Sequence, residues 1–205
     1  MAKRPYLQLG LILAGETPWQ QEQRVQGTTD LPLADAGRAS VRAALALCAG
    51  REPAVIHHAP DEAATETAQI IAGALGARTK SVPELQGPDL GLFEGLLIDE
   101  VKERYPKRFR QWMDEPLTVT APEAGESIGD ARGRIFGAVQ RILRKAKGGH
   151  AAVVLHPIAL GLLRAWLEQR DPSAHAEIVR TGPRVAYYTV APTTVDLLAE
   201  LDDAE

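Results

Sequence analysis

Short apolar runs along the chain predict buried strands. Residues 7–14 form a nearly continuous apolar run that Gly15 ends, and residues 53–57 and 151–155 form two more. Runs that are apolar at consecutive positions are typical of strands covered on both faces of a sheet. We predict two further strands at residues 184–190 and 194–201.

Apolar residues at helical spacing alternate with these runs. They recur at i, i+3, i+4 or i+7 in two stripes: Val41, Ala44, Leu45 and Cys48, then Ala64, Ala68, Ile71 and Leu75. Ser127 and Asp130 are spaced like a capping box, which predicts the start of a long helix. Pro157 is suited to the first turn of a last helix that reaches Leu167.

The order of these elements predicts the fold class. Strands that alternate with helices imply an α/β, three-layer fold, in which a mostly parallel central sheet has helices on both faces. Ligands of such sheets bind beyond the carboxyl ends of the strands. The segments in which to look for a site are therefore residues 13–17, residues 57–63 and His156.

Residues 83–125 interrupt this alternation. Residues 83–95 are rich in glycine and proline, which predicts a long loop. A broken helical pattern of large apolar residues follows, formed by Tyr105, Phe109, Trp112 and Met113. We predict a single domain over residues 1–205 with a cap-like insertion at about 83–125.

Composition and charge narrow the range of partners and locations to be expected for the protein. The chain has 205 residues, 45% hydrophobic and 24% charged, with a net charge of −4. Its Lys and Arg residues are scattered, so we expect no nucleic-acid partner and no membrane surface. The lone cysteine, Cys48, excludes an internal disulfide, and no apolar run approaches the roughly 18 residues of a membrane span. We therefore expect a cytoplasmic protein.

Several short motifs follow one another in the order of a known family. They are Leu13-Ala14-Gly15-Glu16-Thr17-Pro18-Trp19, Arg24-Val25-Gln26-Gly27, Asp30-Leu31-Pro32-Leu33, Gly37-Arg38, residues 64–68, residues 91–96, Gly125-Glu126-Ser127 and Val153-Val154-Leu155-His156. This series resembles the histidine phosphatase superfamily (phosphoglycerate mutase-like), with its patterns R-H-G-E-T-x-W, G-R-x-Q-G, D-x-P-L, A-x-Q-T-A, G-x-W-E-G-L and V-V-S-H-G. Together the motifs cover most of the chain, so the resemblance implies the superfamily's fold.

The resemblance also shows where this sequence departs from the family. In the family, the first histidine attacks a phosphoryl group, two arginines and a second histidine bind the phosphate, and a carboxylic acid protonates the leaving group. The arginine–histidine pair falls on Leu13 and Ala14, and the second arginine falls on Ala63. His156 matches the second histidine, and Glu94 matches the acid.

Further positions match residues around the family's ligand pocket. Including His58, which falls at a family serine, the implied ligand-pocket residues are Glu16, Thr17, Arg24, Gln26, His58, Glu94 and His156. His57 and His58 are neighbours on a predicted strand, so their rings should point to opposite faces and only one can face the pocket. In an apolar pocket, a raised pKa would suit Glu94 to act as an acid.

The departures at Leu13, Ala14 and Ala63 lead us to expect a degenerate member that lacks the nucleophilic histidine. Such a pseudophosphatase would be a binding or regulatory module for an unknown small molecule or protein partner. A further possibility is that the protein functions through its surface and not through its pocket, as a structural subunit or a homo-oligomer. The glycines lack the spacing of a nucleotide-binding loop, so we expect no cofactor.

An enzyme is the alternative hypothesis. It would be a phosphomonoesterase or phosphomutase whose catalytic groups have moved to His156, His58 and Glu94, with Arg24 as the remaining cation. The same two histidines and the glutamate could also hold a divalent metal, but side chains so far apart in the sequence are weak evidence for such a site, and we expect no metal.

Overall fold

A mostly parallel sheet forms the centre of the molecule. The computed structural model describes residues 6–51, 53–146 and 149–198. Within them, five strands have the order β3-β2-β4-β1-β5. These are β1 (Leu7–Leu13), β2 (Val55–His58), β3 (Arg78–Ser81), β4 (His150–Leu155) and β5 (Val185–Val190). Only β5 runs antiparallel to its neighbour among these strands, so the predicted α/β class with a mostly parallel sheet is confirmed.

Helices and short turns connect the strands. The helices are α1 (Pro18–Gln21), α2 (Asp35–Ala44), α3 (Glu62–Leu75), α4 (Ile98–Arg104), α5 (Pro106–Asp114), α6 (Ile128–Lys145), α7 (Pro157–Leu167), α8 (His175–Thr181) and α9 (Pro192–Leu197). Turns of 3-10 helix lie at Leu45–Cys48, Pro83–Leu85, Gly91–Phe93, Pro116–Thr118 and Pro172–Ala174. Within the described ranges, no helix has the length and apolar character needed to cross a membrane.

Burial on β1 and β4 explains their continuous apolar sequence. Leu11 and Ile12 of β1 are 0% and 3% exposed, and Val153, Val154 and Leu155 of β4 are inaccessible to solvent. Successive side chains of a strand point to opposite faces, so burial at consecutive positions means that both faces are covered.

Two adjacent histidines on β2 show which helices cover each face. His58 approaches Thr65 of α3, whereas His57 lines a groove together with Arg141 of α6. Their rings therefore lie on opposite faces, as predicted. Since α2 packs against α3 and α6 packs against α7, the sheet has helices on both sides.

Local signals fix the helix starts next to the strand ends. The hydroxyl of Ser127 accepts the backbone N–H of Asp130 at 3.0 Å, which confirms the capping box at the start of α6. Pro157 is the first residue of α7, as predicted. At the start of α3, the carboxylate of Asp61 accepts the N–H of Ala64 at 2.9 Å.

The predicted strand at residues 194–201 is wrong over its described part. Pro192–Leu197 is helix α9, and residues 199–201 lie outside the described residues. A proline at the first helical position favours this start. The helix also packs on α6, where the Gln140 side chain donates to the carbonyl of Val195 at 2.9 Å. The contact of this segment with α6 therefore outweighs the strand preference of its sequence.

Strand β3 is an element that the apolar pattern does not predict. All residues of Arg78–Ser81 are exposed, so the segment has no buried positions from which a strand could be recognised. Among the described strands it pairs with β2 alone, at the edge of the sheet. Charged side chains such as Arg78 and Lys80 are typical of edge strands.

Residues 83–125 fold into turns and short helices around an aromatic cluster. The buried ring of Phe93 lies 5.2 Å from the ring of Tyr105 and 6.1 Å from that of Trp112, between centroids. These contacts join the Gly- and Pro-rich loop to α4 and α5. That the segment acts as a cap stays a prediction.

Candidate functional site

The carboxyl ends of β1 and β4 meet the start of α3 at one edge of the sheet. The N–H of Ala14 donates to the carbonyl of Leu155 at 3.0 Å, and the N–H of Gly15 donates to the hydroxyl of Thr67 at 2.9 Å. The Thr67 hydroxyl in turn donates to the carbonyl of Ala63 at 2.7 Å. Ala14 and Ala63, the two alanines at which the resemblance predicts a departure from the family, therefore lie at the same edge.

A buried histidine–aspartate pair lies at this edge. The Nε2 atom of His156 is 2.9 Å from Oδ2 of Asp61, and only 8% and 3% of the two side chains are exposed. The other carboxylate oxygen of Asp61 caps α3 through Ala64. One carboxylate thus orients the imidazole and holds the helix start.

The pKa of Asp61 lies below its ordinary value. Burial acts to raise this pKa, but the hydrogen bond and positive charge of His156, together with the N–H of Ala64, lower it by more. Asp61 lies within the predicted strand-end segment 57–63 but is not among the predicted site residues. A usable signal was present, because an aspartate between a strand end and an apolar helix is a typical N-cap.

A cavity of about 390 Å³ brings together three of the implied pocket residues. Arg24, Gln26 and His156 line it, together with Trp112 of α5. The guanidinium of Arg24 is already engaged, since it donates to Glu22 at 2.7 Å and to the carbonyl of Gly95 at 2.7 Å. Within the described residues, the ring of His156 is hydrogen-bonded through Nε2 alone, which leaves Nδ1 available to a ligand.

A second cavity, of about 450 Å³, lies at the end of β1. Its lining includes Leu13, Ala14 and Glu16, and two cations that are not among the predicted site residues, Arg180 and Arg184. The apolar side chains at the end of β1 therefore have basic groups beside them. No local pattern marked either arginine, because both reach this place only through the packing of α8 and β5 against the rest of the fold.

Arg184 is incompletely paired for a partly buried cation. Its Nη2 donates to the carbonyl of Ala14 at 3.2 Å, and its Nη1 lies 3.8 Å from a carboxylate oxygen of Glu16. Within the described residues, its buried Nε has no acceptor. Burial lowers the pKa of Arg184, and the charge of Glu16 only partly opposes this shift.

Glu94 is held as an anion by the chain around it. Its carboxylate accepts the N–H groups of Thr28 at 2.8 Å, Thr29 at 2.9 Å and Leu90 at 3.1 Å. Burial acts to raise the pKa of Glu94, but the Thr29 hydroxyl and these N–H groups lower it by more. The expectation of a raised pKa is therefore wrong, and an ionised carboxylate is poorly suited to donate a proton near neutral pH.

Thr17 and Gln26 also hold the local chain. The buried hydroxyl of Thr17 donates to the side-chain oxygen of Gln26 at 2.5 Å, and Thr17 caps α1. The Gln26 amide donates to the carbonyl of Thr29 at 3.2 Å. Glu16 is half-exposed and faces the second cavity.

His58 is buried and does not form the hypothesised metal site. Its Nδ1 lies 2.7 Å from the carbonyl oxygen of Ala59 and 3.3 Å from the hydroxyl of Thr65. Across residues 6–51, 53–146 and 149–198, no group of three His, Cys, Asp or Glu side chains is arranged to hold a metal ion. The hypothesis that His58, His156 and Glu94 share a metal is therefore wrong.

Comparisons with known proteins agree with this architecture. The family model of the histidine phosphatase superfamily (branch 1) matches residues 10–190. Phosphoglycerate mutase-like protein 4 of Arabidopsis thaliana is 32% identical over 171 residues, which cover 82% of this chain and 73% of the relative. Phosphoserine phosphatase 1 of Hydrogenobacter thermophilus is 27% identical over 154 residues, or 75% of this chain and 72% of that protein.

Solved structures give the same result. YhfR of Bacillus stearothermophilus superposes with a TM-score of 0.79 at 28% sequence identity, over 91% of this chain and 93% of that one. A superposition of this extent takes in most of the sheet and of the helices around it. This chain belongs to the histidine phosphatase superfamily, branch 1.

Proposed function

We propose that this chain is a member of its superfamily that has lost phosphoryl transfer and uses its strand-end cavities for binding. The proposal depends on one observation. Ala14, which aligns with the nucleophilic histidine, lines the cavity at the end of β1, while His156 is bound to Asp61. A methyl group has no electron pair with which to attack phosphorus, so no phosphohistidine can form at Ala14.

Phosphate binding is weakened by the same departures. Leu13 and Ala63 align with the family's arginines, and Ala63 is inaccessible to solvent. Arginine binds phosphate through paired, charge-assisted hydrogen bonds that aliphatic side chains cannot make. Removal of the nucleophile of a serine protease alone lowers kcat by on the order of 10⁶-fold. We therefore expect no turnover above the uncatalysed rate.

Assays of phosphate release test the proposal. The purified protein is incubated without metal ions with para-nitrophenyl phosphate, 3-phosphoglycerate and phosphoserine, the last two suggested by the names of similar proteins. We expect no release above the buffer blank and no radiolabelled phosphohistidine. Phosphate release that disappears in the His156→Ala variant would overturn the proposal.

Restored variants provide a matched control. Ala14→His returns the imidazole alone, whereas the triple variant Leu13→Arg, Ala14→His, Ala63→Arg also returns the guanidinium groups. We expect labelled phosphohistidine only in the triple variant, because an imidazole without bound phosphate has nothing to attack. A folded triple variant that takes up no label would show that the alignment of these positions is incorrect.

The Asp61–His156 pair favours a second candidate function, a phosphomonoesterase with relocated groups. An imidazole oriented by a buried carboxylate is the usual arrangement of a general base. His156 would accept a proton from a water molecule that attacks phosphorus. In that case His156→Ala and Asp61→Asn both abolish hydrolysis, whereas Glu94→Gln leaves its pH profile unchanged because the Glu94 carboxylate is held by Thr28, Thr29 and Leu90.

A further inference from the structure

An apolar groove of about 300 Å³ lies beside the cavity at the end of β1. It is lined almost wholly by apolar groups from α5, α7 and α8, among them Trp112, Met113, Ile158 and Val179. Met113 is 45% exposed, so an apolar surface faces solvent here. Exposed, concave apolar surfaces on folded domains commonly mark binding sites.

The groove and the cavity at the end of β1 are adjacent, and together they make up the surface that we call the trough. Pro157, Val179 and Arg180 line both. Their volumes of about 300 and 450 Å³ together fall within the range of small-molecule sites. The trough is apolar at the α5 end and basic at the β1 end.

Charges at the basic end favour a ligand with one negative charge. Arg180 and Arg184 contribute two positive charges, and Glu16 contributes one negative charge. Within the part of the chain that the structure describes, Nη1 of Arg184 has only the 3.8 Å contact with Glu16, so a donor remains for a ligand. The neighbouring side chains of Leu13 and Ala14 are apolar, and apolar surroundings strengthen a charged hydrogen bond. A planar carboxylate matches the fork of a guanidinium.

We propose that the trough binds an amphipathic organic monoanion, a carboxylate with an aliphatic or aromatic tail. The carboxylate pairs with Arg184 and Arg180, and the tail packs on Val179, Ile158 and Trp112. This inference rests on the proposed function, because an apolar Leu13 and Ala14 at the head-group end suit a binding site and not a phosphoryl-transfer site.

Binding of decanoate tests the inference. Titration is followed by calorimetry and by tryptophan fluorescence, below the concentration at which decanoate forms micelles. We expect saturable one-to-one binding, with affinity that falls in the order decanoate, hexanoate, butyrate. Trp112→Phe should remove most of the fluorescence change but retain the calorimetric signal, because Trp112 lines the apolar end.

Head-group controls use the same tail. We expect decanol, which lacks the charge, and decyltrimethylammonium, which reverses it, to bind at least about tenfold more weakly than decanoate, the size expected when a charged hydrogen-bond partner is removed. Decyl phosphate, which approaches a dianion at neutral pH, should also bind more weakly. Equal affinity of decanol and decanoate would overturn the assignment of the basic end.

Charge-removing variants locate the site. Arg184→Gln should weaken decanoate binding about tenfold or more. Arg180→Gln should have the same effect, and because Arg180 is exposed, this substitution should not disturb the fold. Arg141→Gln is the matched control, because Arg141 lines a separate groove beside β2. Met113→Asp should weaken decanoate more than hexanoate. Unchanged affinity in both Arg180→Gln and Arg184→Gln would overturn the inference.

The two proposals fail in different ways. Absence of decanoate binding, with no phosphate release, overturns only the ligand assignment. Phosphate release by the unmodified chain overturns the proposed function, whichever result the titration gives.

Discussion

The carboxyl ends of β1 and β4 lie side by side, yet they carry opposite kinds of residue. The strands are in register at Leu13 and Leu155. β1 ends with two apolar residues, Leu13 and Ala14, which the resemblance places at the arginine and histidine of the family. His156 follows β4, and its ring is hydrogen-bonded to Asp61 at 2.9 Å. The proposal is therefore that this edge of the sheet departs from the family on one strand and matches it on the next.

The bonding of each end accounts for the difference. Ala14 takes part in the fold through its backbone, which bonds to Leu155 and Arg184. His156 takes part through its side chain, because its partner Asp61 is also the cap of α3. A side chain that serves chemistry alone can be replaced at little cost to folding, whereas one that completes a buried hydrogen-bond network cannot.

Glu94 and Thr17 follow the pattern of His156. The Glu94 carboxylate holds the backbone of Thr28, Thr29 and Leu90, and Thr17 caps α1. These contacts give both side chains a role in holding the local chain, whatever their role in chemistry. The contrast between the strand ends leads to four predictions, which run from the largest expected effect to the smallest.

Removal of the β4-side pair should cost the most stability. Asp61→Ala leaves the His156 ring buried without its carboxylate and removes a helix cap, so we expect the free energy of unfolding to fall by about 3–5 kcal/mol. Urea unfolding measures this loss. Asp171→Ala is the control: Asp171 also caps a turn, but its described side-chain contacts include no histidine, and a clearly smaller loss is expected. Equal losses in the two variants would contradict a structural role for the pair.

Displacement of Glu94 should have an intermediate effect. A Cβ atom at Gly27 would lie 2.1 Å from a carboxylate oxygen of Glu94 and 2.7 Å from the carbonyl of Pro88. We expect Gly27→Ala to lower the free energy of unfolding by about 1–3 kcal/mol, as overpacking does. Gly73→Ala is the matched control, because open space surrounds that position in α3. There we expect stabilisation by about 0.5–1 kcal/mol, since alanine favours the helix.

Acid should weaken the fold through the two depressed carboxyl groups. Both Asp61 and Glu94 have folded-state pKa values below the ordinary ones. Their contribution is complete above the unfolded-state values of about 3.9 and 4.3 and is lost as the pH falls through the lower folded-state values. Urea midpoints measured from pH 7 down to pH 3 should fall less steeply below about pH 4 in Asp61→Asn and Glu94→Gln than in the unmodified chain. Parallel profiles would show that neither carboxyl stabilises the fold.

Conservative change at the β1 end should have the smallest effect. Leu13 lines a cavity, so Leu13→Met keeps both its volume and its apolar character. We expect a change of less than about 1.5 kcal/mol in the free energy of unfolding, measured by urea unfolding. A loss comparable with that of Asp61→Ala would remove the contrast between the two strand ends.

The sequence predicted best those elements whose signals are local. Helix α7 runs from Pro157 to Leu167 as expected, and Ser127 begins α6, because a first-turn proline and a capping box act within a few residues. The edge strand β3 and the helix α9 did not follow from local pattern. β3 is a strand because it pairs with β2, and α9 is a helix because it packs on α6.

The candidate site divides in the same way. The sequence alone determined which residues occupy positions 13, 14 and 63. The hypothesis that the protein has lost phosphoryl transfer follows from those residues. Three features were decided only by the tertiary structure. His156 is hydrogen-bonded to Asp61, 95 positions away, and the carboxylate of Glu94 accepts hydrogen bonds from backbone N–H groups. Arg184 lies beside Ala14. The residue type at each position is read directly from the sequence. A hydrogen bond between distant residues or the wall of a cavity depends on how distant segments pack, and local periodicity does not encode that packing.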